Sequence, residues 1–503
     1  MTFGELIEPL DAAERRGNME VDVAVVTDDS RQVKPGSVFV AVKGGHADGH
    51  AFLRQAVDAG ATALVIQDPT PADLGSATRG GQSVPVVRVS NSRHALGLLA
   101  SRLYGDPSSR LAMIGVTGTN GKTTVTYLCK SLLEAAGRRV GILGTVAYHI
   151  GSERISAVHT TPGAVELQSL LGRMVDAGMD SVIMEVSSHA LAQGRTDGCE
   201  FDVAVYTNLT QDHLDFHTDM DDYFQAKLRL FTGLRASGKK SRAKRAIVNV
   251  DDARGHQVSQ ASQVPVWTYS IHNPSDIRAE DVRLSLAGTH FTAVTPAGRF
   301  DVEARLVGDH NVYNVLAAIG VGLHEGIPPE AIRAGVLAVD NVPGRFERVE
   351  AGQDFTVVVD YAHTEDALVR LLTAVQSLKT GRVITVFGCG GDRDRSKRPR
   401  MGHAAARLSD VVILTSDNPR TEDPQVILRE VEAGIQEQLK TARVRYQKIA
   451  DRRLAIEAAI REAKKGDMVV IAGKGHEDYQ ILGTTRTPFD DREVARAAVA
   501  KRR

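Results

Sequence analysis

Short apolar runs separated by helical patterns recur along most of the chain. In the first hundred residues VDVAVV, SVFVAV, ATALVIQ and VPVVRV alternate with AFLRQAVDAG and with a helical stretch near 92–104. Runs of this length bounded by turn residues predict buried strands, and their alternation with helices predicts a small α/β unit. Tyr104-Gly105-Asp106-Pro107 is a breaker that closes it, so the first domain is expected over 1–107. A second unit opens with LAMIGVTG and a long helix after Gly121, then continues through DSVIMEVS and DVAVYTNL. Apolar runs that end in polar residues and alternate with helices predict a doubly wound parallel sheet. From about 235 to 303 the pattern turns rich in strands and turns, and the basic run 239–245 is expected to be a solvated loop. The helix HNVYNVLAAIGVGLHEG ends this unit, which spans 108–341. After the linker Asn341-Val342-Pro343-Gly344-Arg345, four strand-like runs (FTVVVDY, VITVFG, VVILTS, MVVIAG) each lead into a polar turn and a helix. They predict a third α/β domain over 342–503.

Length agrees with that division: 503 residues exceed one hydrophobic core, and about 150 residues per domain gives three. The charges nearly cancel, 61 Lys and Arg against 62 Asp and Glu. That balance gives no general electrostatic case for nucleic acid or for an anionic membrane surface. Cys129, Cys199 and Cys389 show no CxxC spacing, which argues against a disulfide framework or a zinc site and fits a reducing compartment. No stretch reaches the roughly 18 apolar residues of a membrane span, and residues 1–20 lack the apolar core of a signal peptide. A cytoplasmic protein without membrane insertion is expected.

The segment IGVTGTNGKTT sits between an apolar strand and a long helix. Its glycines would let backbone N–H groups approach phosphate oxygens, Lys122 would reach the terminal phosphates, and Thr123 would offer a hydroxyl to Mg²⁺. Val116 stands where the common phosphate-loop pattern has its first glycine, so Gly118 is expected to supply the tight turn. The implied class is an ATP-using enzyme. The loop alone does not say where the γ-phosphoryl group goes.

The form TGTNGKTT resembles the Mur ligase family and its folylpolyglutamate synthetase relatives. The resemblance extends over the whole chain through DDSRQVKPGSVFVAVKG, HTTPGAVELQ, MEVSSHAL, YTNLTQDHLDFH, YFQAKLRLF, GDHNVYN, PGRFERV, DYAHTEDAL, GCGGDRDRSKRP, DNPRTEDP and AGKGHEDYQ. It implies an α/β fold of three domains: a central P-loop doubly wound sheet, a small N-terminal α/β domain and a C-terminal Rossmann-like domain. It also implies an ATP-dependent, ADP-forming ligation through an acyl phosphate. The set is similar to the members that extend UDP-N-acetylmuramoyl-L-alanyl-D-glutamate with meso-diaminopimelate, acting as a monomer.

The same resemblance assigns residues. Gly118, Thr119, Asn120, Gly121, Lys122, Thr123 and Thr124 would hold the ATP phosphates, with Asn311 at adenine, Arg345 at phosphate and Asp360 at ribose. Thr123, Glu185, His213 and Lys227 would hold Mg²⁺, and Lys122, Glu185, His213 and Lys227 form the expected catalytic set. Lys227 matches a lysine that the family carboxylates with CO₂; the carbamate would offer Mg²⁺ an anionic oxygen where an ammonium would be repelled. Ser30, Gly45, His46 and Ala47 resemble uridine-diphosphate contacts, and Thr160, Thr161, Ser187, Gln193 and Arg195 resemble contacts to the sugar and peptide. The incoming amino acid would meet Arg393, Asp417, Asn418, Pro419, Arg420, Gly473 and Glu477. There the Arg420 guanidinium suits a distal carboxylate and Glu477 a distal ammonium. Related sequences often read YAHTPD, and Glu365 stands here in place of the proline, which is expected to loosen that loop. A lysine-adding ligase and a nucleotide-binding regulator without ligase activity remain alternatives.

Overall fold

Among the residues that the computed structural model describes (1–45, 47–69, 78–79, 82–236 and 238–502), the apolar runs assemble into three large sheets. In the first, Val25–Thr27, Ser37–Val40, Ala63–Ile66 and Val86–Val89 run parallel, and Ala12–Arg16 adds an antiparallel edge. That edge strand, AAERR, is mostly exposed and carries no apolar run, which is why no sequence pattern announced it. The helix Ser92–Leu103 seals one face by setting Leu96 and Leu99 among Val26, Val38 and Val87.

The central sheet places Ala112–Thr117 between Ser181–Glu185 and Val203–Tyr206, parallel to both. The register pairs Glu185 with Val116 and Tyr206 with Thr117. Three neighbouring strands therefore end at one level, and whatever follows each of them opens into the same crevice. Helices Lys122–Ala135 and Asp309–His324 bury Leu128, Leu132, Val315 and Ile319 against one face. Helices Ala164–Asp176 and Met220–Thr232 bury Leu171, Phe224 and Phe231 against the other. The turn-rich stretch after 276 forms Ile277–Ser285, Gly288–Thr295 and Gly298–Ala304, an antiparallel meander that extends the sheet.

The third sheet has Thr356–Asp360, Met468–Ala472, Val383–Phe387, Val411–Leu414 and Arg445–Lys448 in parallel, with helices and a hydrophobic core on both faces. Among the described residues no helix is long and apolar enough to cross a membrane.

Two expectations are overturned. The basic run is not a uniformly solvated loop, because Lys240 and Lys244 are buried. Lys240 Nζ lies 2.7 Å from Asp202 Oδ2 and Lys244 Nζ 2.7 Å from Glu200 Oε1, so the run ties the sheet's N-terminal edge to acidic partners. Nor does Glu365 loosen its loop. It is the first residue of the helix Glu365–Leu378, capped by Thr364, where a carboxylate interacts favourably with the helix dipole.

Candidate active site

The phosphate loop is shaped by glycines that tolerate no side chain. Gly118 has φ +145°, and a Cβ there would fall 1.9 Å from Thr207 Oγ1; Gly121 has φ +89°, and its Cβ would fall 2.4 Å from Asn314 Oδ1. Val116 is buried inside the strand, so the turn begins at Gly118. The loop after Val203–Tyr206 is stitched to it. Thr119 N donates to Asn208 O (2.8 Å), Asn120 N to Asn208 Oδ1 (3.0 Å) and Thr207 Oγ1 to Asn120 O (2.6 Å). Lys122 opens the helix, and its Nζ donates to Gly118 O and Thr119 O, each at 2.9 Å.

Glu185 closes the next strand with 1% of its surface exposed. Its Oε1 accepts from Thr145 N (2.9 Å), and its Oε2 accepts from Thr145 Oγ1 (2.9 Å) and Thr123 Oγ1 (3.1 Å). Arg345, from beyond the linker, donates to the same Thr123 hydroxyl at 3.3 Å. Lys227 is equally buried on Met220–Thr232; its Nζ donates to Gly118 O at 3.0 Å and stands 4.3 Å from the Tyr223 ring centroid. Burial, reinforced by the nearby Lys122 charge and only partly opposed by Asp212, holds the Lys227 pKa well below that of an ordinary lysine. Desolvation also lowers Lys122, against the pull of Glu185. His213 sits at φ +57° with its ring 4.8 Å from that of His189, and burial keeps its imidazole neutral despite Asp212.

On the far side of Glu185, Thr145 Oγ1 lies 3.1 Å from Thr160 Oγ1, and Thr161 Oγ1 donates to Glu185 O at 2.8 Å. Ser187 caps the helix Ser188–Ala192 through Ala190 N. Arg195 donates to Thr161 O (2.9 Å) and grips Gln193 Oε1 through two nitrogens. Thr160, Thr161, Ser187, Gln193 and Arg195 thus form one polar wall beside Glu185. Ser30, Gly45 and Ala47 lie in the first domain, where Ser30 Oγ is 3.5 Å from Gln55 Oε1 and Ala47 O accepts from Gly44 N at 2.9 Å. His46 lies outside the described residues.

A cavity of about 230 Å³ opens between the central and C-terminal domains, bordered by Gly121, Thr124, Asn311, Arg345 and Asp360. Asn311 Nδ2 donates to Val307 O (2.8 Å), and its Oδ1 accepts from Asn314 Nδ2 (2.9 Å). The Asp360 carboxylate accepts from Phe346 N (2.7 Å) and Ala362 N (2.8 Å); burial raises its pKa, with Arg345 opposing.

The remaining predicted residues gather at the ends of the third sheet. Arg420, at φ +52°, donates through Nη1 to Gly391 O at 2.7 Å, and it flanks Gly390 together with Arg393. Pro419 is buried beside them. Asn418 Nδ2 and Lys474 Nζ both donate to Glu477 Oε2 at 2.8 Å, and burial raises the Glu477 pKa against Lys474. Gly473, at φ +118°, leaves room for Asp417, whose Oδ2 would be 2.5 Å from a Cβ.

Several site residues were missed in the sequence. Asn208 and Thr210 lie in YTNLTQDHLDFH, where only His213 was singled out. Lys474 lies in AGKGHEDYQ beside two residues that were named. Thr145 follows a short buried strand with no motif to mark it.

Comparison with known proteins adds to this geometry. Residues 22–104 match the model of the Mur ligase family catalytic domain, 116–322 the Mur ligase middle domain and 344–475 the Mur ligase glutamate ligase domain. A Gloeobacter violaceus protein named UDP-N-acetylmuramoyl-L-alanyl-D-glutamate–2,6-diaminopimelate ligase is 50% identical over 96% of this chain and 95% of its own. A solved structure bearing the same name superposes with a TM-score of 0.69 at 34% identity, covering 100% of this chain and 99% of that one. The ADP complex of MurF ligase from Thermotoga maritima shares the fold, with a TM-score of 0.59 at 18% identity over 95% and 97% of the two chains.

Proposed function

The chain belongs to the Mur ligase family, and from that premise we propose that it joins meso-2,6-diaminopimelate to UDP-N-acetylmuramoyl-L-alanyl-D-glutamate at the expense of ATP, in peptidoglycan precursor synthesis. It is an ADP-forming acid–amino-acid ligase. A carboxylate oxygen of the muramoyl dipeptide attacks the γ-phosphorus and ADP leaves. The amine of the incoming amino acid then attacks the acyl carbon and inorganic phosphate leaves. The first step brings two anions together and the second must place an amine against the acyl carbon, so positioning and charge compensation are the protein's main contributions.

Residues 108–341 bind ATP, 1–107 the uridine diphosphate and 342–503 the incoming amino acid. Lys122 compensates the terminal phosphates, the glycine-shaped loop cradles them, and Asn311, Arg345 and Asp360 receive the rest of the nucleotide across the domain seam. Thr160, Thr161, Ser187, Gln193 and Arg195 orient the dipeptide carboxylate towards the loop. The Thr123 hydroxyl and Glu185 carboxylate, 3.1 Å apart, are a hard-oxygen pair suited to Mg²⁺, and a neutral His213 can join them. Bound there, the ion neutralises charge between phosphate and carboxylate. Lys227, whose pKa burial holds well below that of an ordinary lysine, suits reaction with CO₂ to a carbamate, which would offer the ion an anionic oxygen. Asn418, Arg420 and Glu477 bind the far end of diaminopimelate, with Arg393 beside them. ATP and a nucleotide-linked precursor assign the reaction to the cytoplasm, in keeping with three free cysteines.

The observation that carries this reading is the convergence of Lys122, Glu185 and Lys227 on one strand-end crevice. The test is phosphate release by the purified protein with UDP-muramoyl dipeptide and each candidate amino acid in turn, with hydroxylamine to trap the acyl phosphate as a hydroxamate. Release with meso-diaminopimelate but not with lysine is expected. Equal rates with lysine would move the chain to the lysine-adding activity, and no release with either would remove the ligase reading.

A further inference from the structure

One carboxylate in the molecule touches both loops of the phosphate site from another domain. Asp366, in the first turn of Glu365–Leu378, accepts on Oδ2 from Asn120 Nδ2 (3.0 Å), Thr210 Oγ1 (3.1 Å) and Arg370 Nε (2.9 Å). Asn120 belongs to the phosphate loop. Thr210 belongs to the loop that leads to His213, and Thr210 N in turn donates to Thr119 Oγ1 at 3.0 Å. A second link runs beside the first. Arg400 of Lys397–Arg407 donates to Gln211 Oε1 at 2.9 Å while its Nε lies 3.3 Å from Glu365 Oε2. Adjacent acidic residues at one helix start thus hold two consecutive residues of the central-domain loop, one directly and one through Arg400. Charged acceptors make the stronger hydrogen bonds, and the helix dipole further favours carboxylates at this end.

We propose that Asp366 is a positioning residue: from the C-terminal domain its carboxylate fixes the phosphate loop against the 207–213 loop. Glu365 and Arg400 reinforce the docking. This rests on the ligase reading for its kinetics but not for its structural half, and the test separates the two.

Hydrogen exchange of residues 118–124 and 207–213 is measured in the wild type, Asp366→Ala, Thr210→Val and the double variant, alongside turnover and nucleotide affinity. In Asp366→Ala, exchange should rise about tenfold and kcat fall about tenfold, with nucleotide Kd within about threefold of wild type. The double variant should lose no more than about twofold beyond the worse single variant, because both substitutions break one contact. Glu365→Pro is the control for helix placement. Proline suits the first helical position, and Thr364 is already extended at φ −118°, ψ 160°, as a residue before proline must be. It should cost about twofold. Unchanged exchange and turnover in Asp366→Ala, losses that multiply in the double variant, or a Glu365→Pro defect as large as that of Asp366→Ala would each overturn the proposal. A wild type that ligates nothing, combined with faster exchange in Asp366→Ala, would overturn the ligase reading and leave the structural half standing.

Discussion

Two groups of buried cations are treated in opposite ways. In the C-terminal domain Arg398 is fully buried between Glu422 (2.8 Å) and Glu430 (2.6 Å), and Arg452 makes a bidentate pair with Asp491 at 2.8 and 2.7 Å. At the phosphate loop Lys227 is just as buried, yet Lys227 and Lys122 donate only to the carbonyls of Gly118 and Thr119. A buried charge normally requires a counter-charge in hydrogen-bonding contact. The arginines have theirs built in, and they join helices and strands. The lysines have theirs at a distance, in Glu185 and Asp212, so the fold itself supplies no carboxylate in contact with them. An incoming anion supplies what is missing. Compensation within the fold marks a structural cation, and its absence marks a ligand-binding one.

The contrast can be broken most sharply at Lys122. Lys122→Ala should lower turnover about a thousandfold while leaving the urea midpoint of unfolding unchanged or higher. A stability loss with activity retained would put Lys122 in the arginine class. Arg452→Met should do the reverse, lowering unfolding free energy by about 3 kcal/mol because Asp491 is left buried without its partner, with nucleotide affinity preserved. Denaturant titration of folded protein reads this directly.

At Lys227 the two halves of the contrast meet. Lys227→Ala should reduce kcat about a hundredfold and regain part of it when a small carboxylic acid is added to occupy the vacated space. Lys227→Met should unfold at higher urea than wild type, since it removes a buried polar head that has no carboxylate in contact. The smallest effect is expected at Glu422, whose pKa is held down at about 2, first by hydrogen bonds from Arg398, against an ordinary 4.5. The unfolded chain therefore binds the extra proton first. The Glu422 contribution is complete above about pH 4.5 and is lost as pH falls towards 2. Glu422→Gln should lower the melting temperature by a constant amount above about pH 4.5 and converge on the wild type as pH falls towards 2, which flattens the acid limb over that interval.

Much of this was legible in the sequence because it was written locally. The apolar runs announced the parallel strands, and TGTNGKTT between a strand and a helix announced a loop whose tight turn begins at Gly118. Glu185 was legible as the polar end of a buried run. What escaped is held together across long separations. Thr145 meets Glu185 from 40 residues away and Asp366 meets Asn120 from 246. Thr145 stands in no motif, and DYAHTEDAL contains Asp366 without naming its partner, so only the folded chain reveals what each of them meets. Lys240 and Lys244 escaped for a different reason: a run of cations predicts solvent, but Asp202 and Glu200 come to it from the residues just before the strand Val203–Tyr206.

The cavity shared by the central and C-terminal domains has a thermodynamic consequence. A molecule lodged between Asn311 on one side and Arg345 and Asp360 on the other binds only while both domains are folded and apposed. Its binding energy is therefore added to their mutual attachment, reaching about 2.7 kcal/mol at a hundred times its dissociation constant. A nucleotide bound there, as proposed, would couple the folding of the two domains and so serve as mortar as well as reactant.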